Sequence, residues 1–254
     1  MNTTYLRLEL RRFARDRVNL FFVAVLPAFF YLIFGATQDV GDRSAGDGNV
    51  SLLILVSMAA YGAVTATTGV GGSAAVERMQ GWGRQLGLTP LRDSGFVAVK
   101  ATLAVLVAVV PVGLITVLGL LTGAEGTPRA WVLSLLGVLA GAWVFALLGL
   151  VVGLALRTEG AVGATGGIVV VLGFLGNIFV PLSGVLLDIA RFTPLYGYVA
   201  LARYPITGGA VPDTGGAGSS TGDPLWLPLA NLGAWTLVLA VLAVCLVRRG
   251  RGRQ

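Results

Sequence analysis

The chain has 254 residues, 56% hydrophobic and only 12% charged, with 18 Lys and Arg against 12 Asp and Glu and a mean hydropathy of +0.84. This is too apolar for a soluble domain, and its length leaves room for about six spans of ~20 residues and no additional soluble domain of ordinary size. The sole cysteine, Cys245, excludes an internal disulfide, and the absence of histidine removes the usual general base and the commonest metal ligand, so Ser/His and Cys/His catalysis are out.

The expected fold is therefore an all-α polytopic membrane protein with six transmembrane helices. Residues 1–17 carry Arg7, Arg11, Arg12, Arg15 and Arg17 against Glu9 and Asp16. On a helical projection Leu6, Leu10 and Phe13 share one arc and Arg7, Arg11 and Arg15 another, which suits an amphipathic helix lying along the membrane interface before the first span. A signal peptide is the competing reading; the apolar run that follows is too long for one and ends without an Ala-x-Ala site.

Span one covers residues 18–36 and is expected to bend at Pro27. Residues 37–49 form a short acidic loop with Asp39, Asp42, Asp47 and a lone Arg43. Span two, 50–75, is rich in small and hydroxylated residues, among them Thr65, Thr67, Thr68, Gly69, Gly71 and Gly72. Such residues let helices approach closely, or line a pore.

Residues 77–91 are the one long polar island between apolar runs in the first half of the chain. As a helix, Met79, Trp82 and Leu86 would share a face with Arg78 and Gln85 beside it. Gly81, Gly83 and Gly87 each cost about 1 kcal/mol relative to Ala there, so such a helix needs a partner surface. A plain solvated loop is the alternative. Span three, 96–121, has Lys100 near its start and Pro111 in its middle. Span four, 130–156, carries Gly137-xxx-Gly141 and Gly149-xxx-Gly153, both of the small-xxx-small type.

Span five is apolar from Ala161 to Pro181, with Asn177 as its only amide side chain. Residues 181–205 stay apolar, but Pro181, Pro194 and Pro205 with Asp188, Arg191 and Arg203 forbid a full span, so a re-entrant or interfacial hairpin is expected. Residues 208–223 read as a flexible Gly/Ser/Thr-rich loop. Span six, 225–247, begins at Trp226, which marks an interface, and ends on Arg248, Arg249, Arg251 and Arg253.

With both termini, the 77–91 island with Arg92, Asp93 and Lys100, and the Arg157 turn on one side, that side holds fourteen basic and five acidic residues, and the other four basic and seven acidic. The positive-inside rule makes the first side, at a net +9 against −3, cytoplasmic. The arginines at span ends face anionic lipid headgroups, so the basic balance calls for no nucleic acid. No span carries a mid-depth Asp, Glu or Arg of the kind that marks ion-coupled transport. No Gly-x-x-x-x-Gly-Lys-Ser/Thr loop is present, so any ATP must be held by another chain.

The basic entry Leu8-Glu9-Leu10-Arg11-Arg12-Phe13, the six spans, Glu77-Arg78 with Arg84-Gln85-Leu86-Gly87-Leu88-Thr89-Pro90-Leu91, and the late Pro181-Leu182-Ser183-Gly184 and Thr193-Pro194-Leu195 together resemble the ABC-2-type permeases, the membrane subunits of bacterial ATP-binding-cassette exporters. The resemblance spans essentially the whole chain as a single transmembrane domain, with an elbow at 1–17, a coupling loop at 77–91, an extracellular hairpin at 181–205 and an outer loop at 208–223. It implies that Glu77, Arg78, Trp82, Arg84, Gln85, Thr89 and Pro90 meet a separate ATPase subunit, present in two copies and holding ATP and Mg. Arg7, Arg11, Arg12 and Arg15 of the elbow would touch the same subunit. It further implies a permease homodimer or heterodimer in the bacterial cytoplasmic membrane, with spans two and five at the subunit interface. Tyr61, Thr65, Thr68 and Asn177 are the candidates for the substrate path; no catalytic residue, metal or resident cofactor is expected. The cargo expected is a hydrophobic or amphipathic drug, antibiotic, peptide or lipid-like compound moving outward. A membrane sensor and relay with little net transport, or a structural assembly factor without an ATPase, are the alternatives from other classes.

Overall fold

The computed structural model describes residues 3–37, 41–79, 93–156, 160–211 and 222–251. Among them all regular structure is helical, and extended pairing is confined to two isolated bridges, Ser44 with Asn49 and Gly48 with Gly126. The helices are α1 (Thr3–Arg15), α2 (Arg17–Ala36), α3 (Val50–Met79), α4 (Asp93–Leu121), α5 (Pro128–Leu156), α6 (Ala161–Leu175), α7 (Gly184–Ala190), α8 (Pro194–Thr207) and α9 (Trp226–Arg251). Among the described residues five helices, α2, α3, α4, α5 and α9, are long and apolar enough to cross a membrane. α7 and α8 meet at 92° and pass the same test only together, so the count is six if that bent pair is a crossing.

The bundle is built around α3. Its most apolar stretch is 83% buried inside the single chain, against 11% for α9. Composition explains this: Ala59, Ala60, Ala63 and Ala66 leave room for neighbours to close in, and all four are buried. The tightest seam is with α5. Gly71 lies against the Ala146 carbonyl and Gly149 against the Thr68 carbonyl, so a side chain at either would strike backbone of the other helix. Gly153 meets Ala75 in the same seam, while Gly141 and Gly137 face Tyr198 and Ala202 of α8. The two small-xxx-small patterns of α5 thus serve different partners, at close van der Waals range.

In α2 the helix loosens to i→i+5 turns at Phe21–Val25 and Leu32–Ala36, on either side of the stretch that holds the buried Pro27. A proline ring clashes with the preceding turn and lacks an N–H, and a wider turn before it relieves both.

Two boundaries differ from the sequence expectation. α3 continues through Glu77 and Arg78 to Met79, so those two residues are helical rather than the start of a loop. α6 stops at Leu175 instead of running to Pro181; its 15 residues reach roughly 22 Å, short of a ~30 Å hydrocarbon core. The reason is local. Asn177 takes φ 56°, a left-handed conformation that Asn tolerates, and its Oδ1 accepts from Leu182 N–H at 2.8 Å. The chain therefore turns, and Phe179 folds back edge-on to Tyr61 (5.0 Å) and Phe30 (5.7 Å).

The 181–205 segment forms the short α7 and the longer α8. Thr193 caps α8, its Oγ1 accepting from Tyr196 N–H at 3.3 Å, with Pro194 in the first turn where its missing N–H does no harm. Pro205 does not end α8, which runs on to Thr207 and stops at Gly208 with φ 61°.

Candidate functional site

One end of the bundle carries a buried set of charges that joins three helices. Lys100, in the second turn of α4, places its Nζ 2.7 Å from Glu77 Oε2 of α3 and 3.1 Å from Glu9 Oε2 of α1. Arg12 of α1 reaches the other oxygen of Glu77, Oε1, at 2.9 Å. The side chains of Lys100, Glu77 and Glu9 are 9%, 8% and 11% exposed, whereas that of Arg12 is 68% exposed. Two cations thus balance two carboxylates, which is the condition for keeping such groups out of water.

The apolar side of α1 holds the set in place. Leu6, Leu10 and Phe13 pack onto a small core of Val23, Ala66, Val70, Leu103, Ala104 and Val107, drawn from α2, α3 and α4. Arg7, Arg11, Arg12 and Arg15 are exposed on the other side of α1. Residues 80–92 connect the ends of α3 and α4, and both ends are bound through Glu77 and Lys100 to α1. A displacement of either end is therefore felt by all three helices.

Of the residues singled out in the 77–91 stretch, Glu77 is buried rather than presented outward. Arg78 lies on α3. Trp82, Arg84, Gln85, Thr89 and Pro90 fall outside the described residues. The four path candidates lie together only in part. Tyr61 and Thr68 are buried within α3's surroundings, and Thr65 is half-buried. The two threonine hydroxyls donate back along their own helix, Thr65 to the Tyr61 carbonyl at 2.9 Å and Thr68 to the Val64 carbonyl at 2.7 Å. Asn177 sits in the turn after α6, also buried.

The opposite end is held by hydrogen bonds. Asn49 caps α3, its Oδ1 accepting from Leu52 N–H at 2.9 Å and Glu125 N–H at 3.0 Å, while its Nδ2 donates to the Gly123 carbonyl at 2.8 Å. Tyr31, fully buried, shares its hydroxyl with Ser51 (3.1 Å) and Thr122 (2.8 Å). The bent α7–α8 pair is pinned to α5 by Tyr198, whose hydroxyl donates to the Val138 carbonyl at 2.6 Å. It is pinned to α9 by Asn231 Nδ2 and Trp235 Nε1, which donate to the Arg191 and Phe192 carbonyls, each at 2.8 Å.

Arg191, in the turn between α7 and α8, sits 3.0 Å from Asp223 and 3.5 Å from Asp188. Burial opposes its charge, but the Tyr196 hydroxyl and the Asp223 carboxylate outweigh this and raise its pKa.

Sequence reasoning left three residues unassigned that the structure brings forward: Glu9, Lys100 and Arg203. Lys100 is the only lysine in the chain and stands at the edge of an apolar run. A lone cation in that position needs an acid close by, and Glu9 and Glu77 are the acids that flank it.

Compared with known proteins, the sequence model of the family described as "ABC-2 family transporter protein" matches residues 41–245. The chain is also similar to the "Putative transport permease YvfS" of Bacillus subtilis (strain 168), at 23% identity over 247 residues, which cover 95% of this chain and 94% of that one.

Proposed function

From the premise that this chain belongs to the ABC-2 transporter family, and so is a multi-pass membrane permease component rather than a catalyst, we propose that it moves a hydrophobic or amphipathic compound outward across the cytoplasmic membrane. Membership implies association with an ATP-binding subunit. In the arrangement proposed, two such subunits hold ATP and Mg and serve a permease dimer. Six crossings leave both termini cytoplasmic, with α6 completing its crossing through residues 176–183 and α7–α8 forming a re-entrant hairpin on the outer side.

The observation that carries this reading is the ionic set of the largely buried Glu9, Glu77 and Lys100 with the exposed Arg12. It fastens both ends of the 80–92 connection to α1 and makes them one mechanical body. Closure of the ATP-binding subunits would press on the 77–91 stretch, with Trp82, Arg84, Gln85, Thr89 and Pro90 making the contact and Glu77 passing it on. Arg7, Arg11 and Arg15, exposed on α1, would give the same subunit a second hold.

The test is to purify the chain gently from its native membrane and identify what accompanies it, with and without a non-hydrolysable ATP analogue. A stoichiometric chain with a phosphate-binding Gly-rich loop is expected, and its loss in Arg84→Ala with Trp82→Ala. No such chain under any nucleotide condition would sink the proposal.

A further inference from the structure

Arg203 of α8 is 8% exposed, and among the described residues it forms no ion pair. Its Nε donates to Ser57 Oγ of α3 at 2.8 Å, and that hydroxyl in turn donates to the Leu53 carbonyl. Ser57 lies seven residues inside α3, roughly 10 Å from the helix end at 1.5 Å per residue. A guanidinium at that depth carries five donors, of which a neutral hydroxyl satisfies one. A buried charge without a counter-charge is costly, and in a membrane protein it marks a functional position.

Arg203 lines a hollow shared with Asn177, Tyr196, Tyr204, Thr207 and Asp223. Asp223 is already claimed, accepting from Arg191 at 3.0 Å and from the Tyr196 hydroxyl at 3.0 Å. The wall thus offers Arg203, without an ion pair among the described residues, beside amide and hydroxyl groups and an Asp223 carboxylate already held by Arg191 and Tyr196. The enclosed space is small, about 20 Å³, and the hollow is partly open, so an occupant inserts a head and keeps its body outside. α9 contributes Pro228 to the wall, and its Trp226 and Leu229 are 65% and 50% exposed. An apolar body would lie there.

We propose that this hollow binds the oxyanion head, phosphate or carboxylate, of an amphiphile whose tail rests on the outer-leaflet side of α9. The planar Arg203 fork suits two oxygens of such a head, with Tyr204 as a neighbouring hydroxyl donor. This deepens the reading of an amphipathic cargo and rests on it for physiological meaning; the binding itself requires no ATPase and is measured without one.

The chain is purified in dodecyl maltoside and titrated with dodecyl phosphate, with inorganic phosphate as the tail-free control. Unfolding temperature and native mass spectrometry are the readouts. Dodecyl phosphate is expected to raise the unfolding temperature, and inorganic phosphate at equal concentration is expected not to. Arg203→Met should bind dodecyl phosphate at least about tenfold more weakly, and Arg203→Lys should fall between. An equal response of wild type and Arg203→Met, or no response of wild type, would overturn the proposal. If Arg203→Met does not fold, Arg203→Lys and the wild-type preference for dodecyl phosphate over dodecyl maltoside decide in its place. Phosphatidylglycerol retained by wild type and displaced by dodecyl phosphate identifies a lipid head as the occupant; dodecyl phosphate bound with no retained lipid identifies a single-tailed cargo. Transport that fails while binding persists counts against the exporter reading and leaves the site standing.

Discussion

The two ends of this bundle handle buried charge in opposite ways. At the α1 end Lys100 has two carboxylates within 3.1 Å and the set is neutral. At the hairpin end Arg203 has a serine hydroxyl and an open hollow. A satisfied ionic set fixes the relative position of the helices that supply it and passes on displacement. An unsatisfied one leaves the fold with a binding capacity it does not use itself. On the proposed reading the first serves transmission and the second recognition.

Removing one partner from the satisfied set should have the largest effect. Lys100→Met leaves Glu9 and Glu77 with only the exposed Arg12 as a cation, and a loss of about 3–5 kcal/mol is expected in detergent unfolding. The same replacement at the other end should go the opposite way. Arg203→Met removes an uncompensated charge and keeps the volume, so the ligand-free protein should be at least as stable as wild type; a loss as large as that of Lys100→Met would erase the contrast. Smaller still is Tyr198→Phe, which frees the Val138 carbonyl and loosens the hairpin from α5, at about 1 kcal/mol. The smallest effect belongs to Arg12→Ala. Its side chain is 68% exposed, and screening holds the expected loss below about 1 kcal/mol, read as a shift in denaturant midpoint that shrinks in high salt.

Much of the fold was legible because apolar runs and small-residue spacing respond to simple constraints. Gly149-xxx-Gly153 and Gly137-xxx-Gly141 mark real close approaches, although sequence could not tell that α3 would take one and α8 the other. The end of α6 was not legible. Residues 161–181 are uniformly apolar, and the stop depends on Asn177 finding Leu182 N–H, a turn that composition does not announce. Glu77 was visible as a charged residue beside a long apolar helix, and its partner Lys100 as the sole lysine. Their meeting depends on the antiparallel return of α4 alongside α3, with α1 folded across both. Arg203 was read as a reason why 181–205 could not span; that it tucks against Ser57 of α3 required the hairpin's placement in space.

The measurement that bears most directly on the transmission role is transport per ATP hydrolysed in the reconstituted complex, comparing wild type with the triple variant Glu9→Gln, Glu77→Gln, Lys100→Met. Neutralising all three avoids leaving a buried charge, so the variant should fold and its partner should still hydrolyse ATP. Transport per ATP is expected to fall at least about tenfold, the loss of a little over 1 kcal/mol of coupling. A folded triple variant that transports as much per ATP as wild type would contradict the role assigned to the ionic set.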